Sequence, residues 1–397
     1  MTHSTNFISI YTNALIRKQS LLSIKGKVSD TYSLNESDVD IIVYLPSPAS
    51  SFYQLEQWLA PLSKLNEKHK VAILTRKITT FTHISSKTTL PIFFFQWPKD
   101  LKKAYQRLMP SIVLYVNNSL KNNRSLLYKK GYHIYLNHGD SEKECMSSNQ
   151  SKAYDYVFTT GQRAINRYKE NLLNFDAKKY LLIGRPQLDA TPPLNINGEK
   201  TKILYAPTWE AHYSEMDYCS LEQYGLKIVS AILSNPSLQL IYKPHPLTGT
   251  KRRSVLQIHR RILNRIKQSN SAIFFSNIDI NRLFSEIDLA IFDNSSVMVD
   301  YLYFNKPAVY IPIRHDIQTE YLIKAFTPLK QTDLKNFPNF VESCLTDNNK
   351  EQRKKIKEHY LGAFKKGEST HNFVTTINNL IKARDEELPT KTHSNST

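Results

Sequence analysis

The feature that most constrains this chain is the regular return of short, apolar, β-branched runs separated by stretches with helical spacing. "DIIVYL" (40–45), "KVAILTR" (70–76), "PIFFFQ" (91–96), "SIVLYVNNS" (111–119), "YHIYLNHGD" (132–140), "YDYVFTTG" (154–161) and "KYLLIGRP" (179–186) read as strands. After the first of them, "SFYQLEQWLAPLSKLNEK" (51–68) carries its apolar residues on one helical face. Strands that alternate with helices need crossover connections, and so predict a parallel, doubly wound α/β sheet. "DATPPLNINGEKTK" (189–202) breaks the pattern with prolines and a glycine, as a linker does. The alternation restarts with "KILYAPTW" (202–209), "LQLIYKPHP" (238–246), "SAIFFS" (271–276), "DLAIFDNSS" (288–296) and "PAVYIP" (307–312), and closes on helical stretches. Two α/β domains are expected, over 1–190 and 201–385, with a disordered tail at 386–397.

Composition supports this. A chain of 397 residues with 41% hydrophobic side chains can build two sizeable cores. Its three cysteines (Cys145, Cys219 and Cys344) include no Cys-x-x-Cys pair, which argues against a zinc site or disulfide framework and fits a reducing compartment. The first thirty residues lack the clean apolar core of a signal peptide, and no run approaches the ~18 apolar residues of a membrane span. The expectation is a protein of the cytoplasm or its surfaces. With 53 Lys+Arg against 35 Asp+Glu, the net charge of +18 favours polyanions: nucleic acid, anionic lipid or a phosphate-bearing substrate.

In open parallel sheets, ligands bind beyond the carboxyl ends of the strands. His138 and Gly139 follow the strand begun at 132, and Pro207, Thr208 and Trp209 follow 203–206. Lys243, Pro244, His245 and Pro246 follow 239–242, and Asp293 to Ser296 follow 289–292. All four groups therefore fall where a ligand would sit. A Ser-Ser pair opening a helix is first of all an N-cap, yet helix N-termini also seat phosphate. Ser295 can cap while Ser296 and backbone amides hold an oxygen. Gly139 permits close backbone approach beside His138. The flanking prolines hold His245 on a stiff, extended "KPHP" segment, which suits either an aimed side chain or a rigid connection. No Walker loop, G-x-G-x-x-G, H-E-x-x-H or G-x-S-x-G occurs, so a glycine-rich loop is not how this chain holds phosphate.

Taken together, "YLNHGDSEK", "ILYAPTWE", "YKPHP" and "DLAIFDNSSVMVDYLYFNKPAVYI" resemble, in order and spacing, the CDP-glycerol glycerophosphotransferase family, the primases and polymerases of bacterial teichoic acids and related capsules. The resemblance covers about residues 110 to 380. It implies a GT-B-like fold with two Rossmann-type domains facing across a cleft, the first on the acceptor side and the second binding the nucleotide donor. An acceptor hydroxyl would attack the β-phosphate of CDP-glycerol, or of a similar CDP-alditol, and CMP would leave. No cofactor or metal is implied. By position, His138 matches the family's general base and His245 a histidine near the donor pyrophosphate. Thr208, Ser295 and Ser296 match residues that hold donor phosphates, Gly139, Lys243 and Asp293 would join them in binding the donor, and Asp300 would face ribose or alditol hydroxyls. Such chemistry needs positioning and charge neutralisation, for which Lys243 and Arg185 are available.

Two departures stand out. The family usually has "HGTPLK", whereas "HGDSEK" sets Asp140 and Glu142 beside the expected base; and Glu210 replaces the usual arginine after "APTW". They leave open a GT-B glycosyltransferase using a nucleotide sugar for capsule or lipopolysaccharide. A nucleic-acid partner, suggested only by the charge, has no recognition motif to support it. A lipid-linked or polymeric acceptor would give the chain a reason to attach peripherally to the anionic inner face of the cell membrane. "KRRSVLQIHRRILNRIK" (251–267) is a candidate contributor, although its stripe of Val255, Ile258, Ile262 and Ile266 equally suits a crossover helix packed on the sheet.

Overall fold

The computed structural model describes residues 39–95, 97–142, 146–211, 217–276, 278–314, 319–346 and 349–388. Cys145 and most of the expected tail fall outside them. The chain forms two parallel sheets. The first comprises β1 (Ile41–Leu45), β2 (Val71–Thr75), β3 (Ile92–Phe94), β4 (Ile112–Tyr115), β5 (Tyr132–Tyr135), β6 (Tyr156–Thr159) and β7 (Tyr180–Leu182), in the order β3-β2-β1-β4-β5-β6-β7. The second comprises β8 (Thr201–Ala206), β9 (Leu238–Tyr242), β10 (Ala272–Phe274), β11 (Leu289–Phe292), β12 (Ala308–Tyr310) and β13 (Thr327–Pro328), in the order β10-β9-β8-β11-β12-β13. The predicted linker lies between the last strand of one sheet and the first of the next. The two-residue β13 carries no periodicity and was not anticipated.

By packing, residues 1–138, 150–157 and 374–397 form one compact unit, and 139–149 with 158–373 form the other. In the first unit, β1 pairs with β2 (Ile41 opposite Val71) and with β4 (Ile41 opposite Ile112), and all five of its residues are buried. This is why "IIVYL" is apolar throughout rather than alternating. The helical stretch 51–68 divides into α1 (Tyr53–Glu56) and α2 (Leu59–Asn66). Between them the buried Trp58 donates its indole N–H to the Asn137 carbonyl at 2.6 Å.

The second sheet shows why its strands alternate. Ile203, Tyr205, Leu240, Tyr242, Leu289 and Ile291 share one core with Val255 and Ile262. Leu204, Ala206, Ile241, Ala290 and Phe292 share another with Met298, Val299 and Tyr301. Successive residues thus point to opposite faces, both covered, and each large side chain buried is worth about 1.5–3 kcal/mol. The strand order reverses between β8 and β11, which is the switch point where α/β sheets bind ligands. The segments after these two strands are Pro207–Trp209 and Asp293–Ser296.

Candidate active site

In the first unit, the turn after β5 is built around His138. Asn137 adopts a left-handed conformation (φ 59°), and its side-chain oxygen accepts the His138 backbone N–H at 2.8 Å. The Nδ1 of His138 lies 3.3 Å from the Val116 carbonyl, and the ring meets Tyr53 edge-on at 6.0 Å. A carbonyl only accepts, so a neutral ring that makes this bond donates from Nδ1 and carries its lone pair on Nε2.

In the second unit, the neighbouring Gly139 sits against the start of α9 (Ser296–Tyr301): a Cβ at this position would lie 3.0 Å from both Cβ and Oγ of Ser296. Any larger residue here would press on the Ser296 side chain. Ser295 occupies the N-cap position with extended backbone (φ −155°, ψ 168°), but its hydroxyl makes no capping hydrogen bond. The expected cap is therefore corrected, since this hydroxyl is not spent on the helix.

Asp293 is fully buried, and its Oδ2 accepts the backbone N–H groups of Thr208 (2.8 Å) and Ser220 (3.0 Å). It thereby ties the segments after β8 and β11 together at the switch point. Lys243 is also buried, its Nζ 3.4 Å from the Pro244 carbonyl. His245 is half-buried and held from three directions. Its N–H donates to the Pro207 carbonyl at 3.2 Å, its ring stacks on Trp209 at 5.8 Å, and its Nδ1 accepts the Leu247 N–H at 3.1 Å. Accepting at Nδ1 leaves the proton of the neutral ring on Nε2. His245 is thus set as a donor, the reverse of His138.

Asp300 is paired with a cation. Both its oxygens meet Arg185, Oδ1 at 2.7 Å from Nε and Oδ2 at 2.9 Å from Nη2, with each side chain buried. Burial alone would lower the arginine's pKa, but Asp300 reverses the sign and raises it. Arg185 Nη2 lies 3.9 Å from where a Gly139 Cβ would be, so this cation is at the Gly139–Ser296 contact.

Sequence reasoning missed Asp279. It lies beyond β10, where its Oδ1 accepts the Asn281 N–H at 3.1 Å. Burial pushes its carboxyl up to about 6, Asp300 adds to the rise, and the Asn281 N–H, Arg185 and Lys243 oppose it. Nothing in "SNIDIN" distinguishes it from an ordinary loop aspartate.

Both departures have structural reasons. Glu210 is buried and accepts the N–H groups of Gly249 (3.0 Å), Lys251 (2.7 Å) and Arg252 (3.1 Å). Burial would raise its pKa, but these donors outweigh it and hold the carboxyl below its usual range. It thereby holds the turn that leads into α8 (Arg253–Lys267), whose own N-cap, Arg252, makes no side-chain capping bond. Asp140 and Glu142 are buried and paired with Arg163 and Arg167 of α5 (Gln162–Asn171).

A profile of the family described as CDP-glycerol:poly(glycerophosphate) glycerophosphotransferase matches residues 125–377, well over half of the chain. The chain belongs to this family. It is an enzyme of the glycerophosphotransferase class, with a GT-B-like fold. Among solved structures it is similar to the wall teichoic acid polymerase TagF, in a variant soaked with CDPG, at 16% identity and a TM-score of 0.58 over 96% of this chain and 99% of that one. It is also similar to S. aureus MnaA with UDP (13% identity, TM-score 0.56, 87% and 97% of the two chains). A UDP-N-acetylglucosamine 2-epimerase matches at 12% identity and a TM-score of 0.59, over 89% and 98%. At these identities the likeness is one of fold. Sequence comparison with curated proteins finds no match.

Proposed function

We propose that this family member transfers glycerol phosphate, or a similar alditol phosphate, from a CDP-linked donor to a hydroxyl of a growing teichoic-acid-like or capsule polymer. The observation that carries the reading is the family match over residues 125–377, with His138 in the turn after β5, its Nδ1 3.3 Å from the Val116 carbonyl. In the step envisaged, Nε2 takes the proton of the acceptor hydroxyl as its oxygen bonds to the donor's β-phosphorus. The bond from that phosphorus to the bridging oxygen breaks, and CMP carries away the electron pair. His245, with Nε2–H, donates to a pyrophosphate oxygen as negative charge builds on the leaving group. Arg185 and Lys243 supply fixed positive charge, and the Ser295 and Ser296 hydroxyls supply donors. Such positioning and neutralisation are most of what phosphoryl transfer asks of a protein.

The departure at Glu210 does not weigh against a CDP-linked donor, because its carboxylate is occupied by three backbone N–H groups. The test is a panel of CDP- and UDP-linked donors with purified protein, following free CMP and UDP. CMP release from a CDP-alditol is expected, and UDP release from a UDP-sugar with CDP donors inert would replace this reading with a glycosyltransferase.

We further infer peripheral attachment to an anionic membrane surface, on its cytoplasmic face. Among the described residues no helix is long and apolar enough to cross a membrane. In α8 the stripe of Val255, Ile262 and Ile266 is buried in the core, so only charge is available there for lipid. Lys251, Arg253, Arg260, Arg261, Arg265 and Lys267 are exposed, whereas Arg252 pairs with Asp217 and Glu222.

A further inference from the structure

The acids of "HGDSEK" occupy positions where the family pattern is uncharged, and the structure binds them in an ion cluster within the second unit. Arg167 Nη1 meets Asp140 Oδ1 at 2.6 Å, and its Nη2 meets Glu142 Oε1 at 3.3 Å. Arg163 forks onto Glu142, Nη2 to Oε2 at 2.8 Å and Nε to Oε1 at 3.0 Å. The Thr160 hydroxyl donates to Asp140 Oδ2 at 3.0 Å. Asp140, Glu142 and Arg167 are each no more than 3% exposed.

A buried charge cluster is a poor device for stability alone, because apolar side chains of similar volume do as well or better. What it does supply is direction. Forked guanidinium–carboxylate pairs fix distance and orientation together, and they tolerate displacement badly. Asp140 follows directly on Gly139, the residue pressed onto Ser296. On the other side of the turn, Asn137 is held by Trp58 and bonds the His138 N–H. A segment that would otherwise be an ordinary mobile loop is therefore gripped from both ends.

We propose that Asp140 and Glu142, held by Arg163 and Arg167, are positioning residues of the transfer reaction: they fix the His138–Gly139 turn from its C-terminal side. This rests on the reading of His138 as the base. The two acids were a liability beside that base in the sequence; with two arginines opposite them, their charge is neutralised locally and their geometry is put to use.

The test compares wild type with Arg167→Met, Arg167→Lys and Arg163→Met, by hydrogen–deuterium exchange at amides 138–142 without donor and by CMP release from CDP-glycerol. Arg167→Met should speed exchange in the turn roughly tenfold or more. It should lower kcat about 10- to 100-fold, as displacement of a reacting group by about 1 Å does, with KM for CDP-glycerol nearly unchanged. Arg167→Lys, which keeps the charge and loses the fork, should fall between. Arg163→Met is the milder variant if Arg167→Met does not fold, and should move both readings in the same direction. Unchanged exchange in the turn would overturn the proposal. So would a loss of turnover explained wholly by a smaller folded fraction. If wild type releases no CMP, the donor reading fails on its own, and the exchange measurement still decides whether these arginines hold the turn.

Discussion

Asp300 holds Arg185 through both carboxylate oxygens, at 2.7 and 2.9 Å, in a pair buried from solvent. The two residues come from α9 and from the segment after β7, and nothing local in sequence joins them. The pair delivers a fully charged guanidinium to the place where Gly139 meets Ser296. A cation there, with its own counter-charge behind it, is oriented before any ligand arrives.

Removing one partner of such a pair leaves an uncompensated buried charge. Asp300→Asn should therefore lower stability by about 3–5 kcal/mol. Replacing both residues, as Arg185→Met with Asp300→Leu, should recover most of that loss while abolishing turnover. Urea unfolding checks the first claim. A single variant within about 0.5 kcal/mol of wild type would show that the pair is not what neutralises Arg185.

Ser295 makes no capping bond, so Ser295→Ala should change stability by less than about 0.5 kcal/mol. A working cap would cost about 1 kcal/mol. If the hydroxyl instead serves donor phosphate, affinity for CDP-glycerol should fall roughly tenfold or more, as for a lost hydrogen bond to a charged group. Calorimetry reads both quantities. A lower melting temperature with unchanged affinity would return Ser295 to a structural role.

Asp279 gives a pH signature. Its folded pKa, about 6, lies above the unfolded value of about 3.9, so protonation favours the folded state. Its contribution to stability is fully present below about pH 4 and is lost as pH rises through about 6. Asp279→Asn is neutral throughout. It should be more stable than wild type by about 3 kcal/mol at pH 8, and close to it at pH 4. The neighbouring charges, Asp300, Arg185 and Lys243, are the ones whose own replacement should move this crossover. A difference independent of pH would mean that the carboxyl does not titrate in this range.

The sheets were legible in the sequence because their signal is local. Runs such as "IIVYL" and "LAIF" are apolar through both faces, and the loops after them collect His138, Thr208, Lys243, His245 and Ser296. What the side chains grip was not legible. Glu210 caps a turn some forty residues away, Asp300 finds Arg185 across more than a hundred, and Asp293 spends an oxygen on Thr208 and Ser220. Such partners are set by strand order, which periodicity does not reveal. The ring contacts of the two histidines were invisible for the same reason: Nδ1 of His138 meets the Val116 carbonyl, and Nδ1 of His245 accepts the Leu247 N–H.

The α8 surface should bind anionic lipid by charge alone, since its apolar stripe is buried. Each basic residue near the leaflet contributes about 1 kcal/mol. Changing Arg253, Arg260 and Arg261 to Gln should weaken sedimentation with anionic liposomes at low salt, and both proteins should release as salt rises. Arg252 is left intact because it is paired with Asp217 and Glu222. Equal binding by the two proteins would exclude this helix as the contact.

The most direct measurement of the central claim is CMP release from CDP-glycerol in the presence of a hydroxyl-bearing acceptor, by wild type and by His138→Ala, with donor binding measured in parallel. Wild type should release CMP. The variant should bind the donor nearly as well and turn it over about 10²- to 10⁴-fold more slowly, the usual cost of losing a general base. A His138→Ala protein that keeps more than about half of wild-type turnover would contradict the role assigned to His138, a cost far below that expected for a general base.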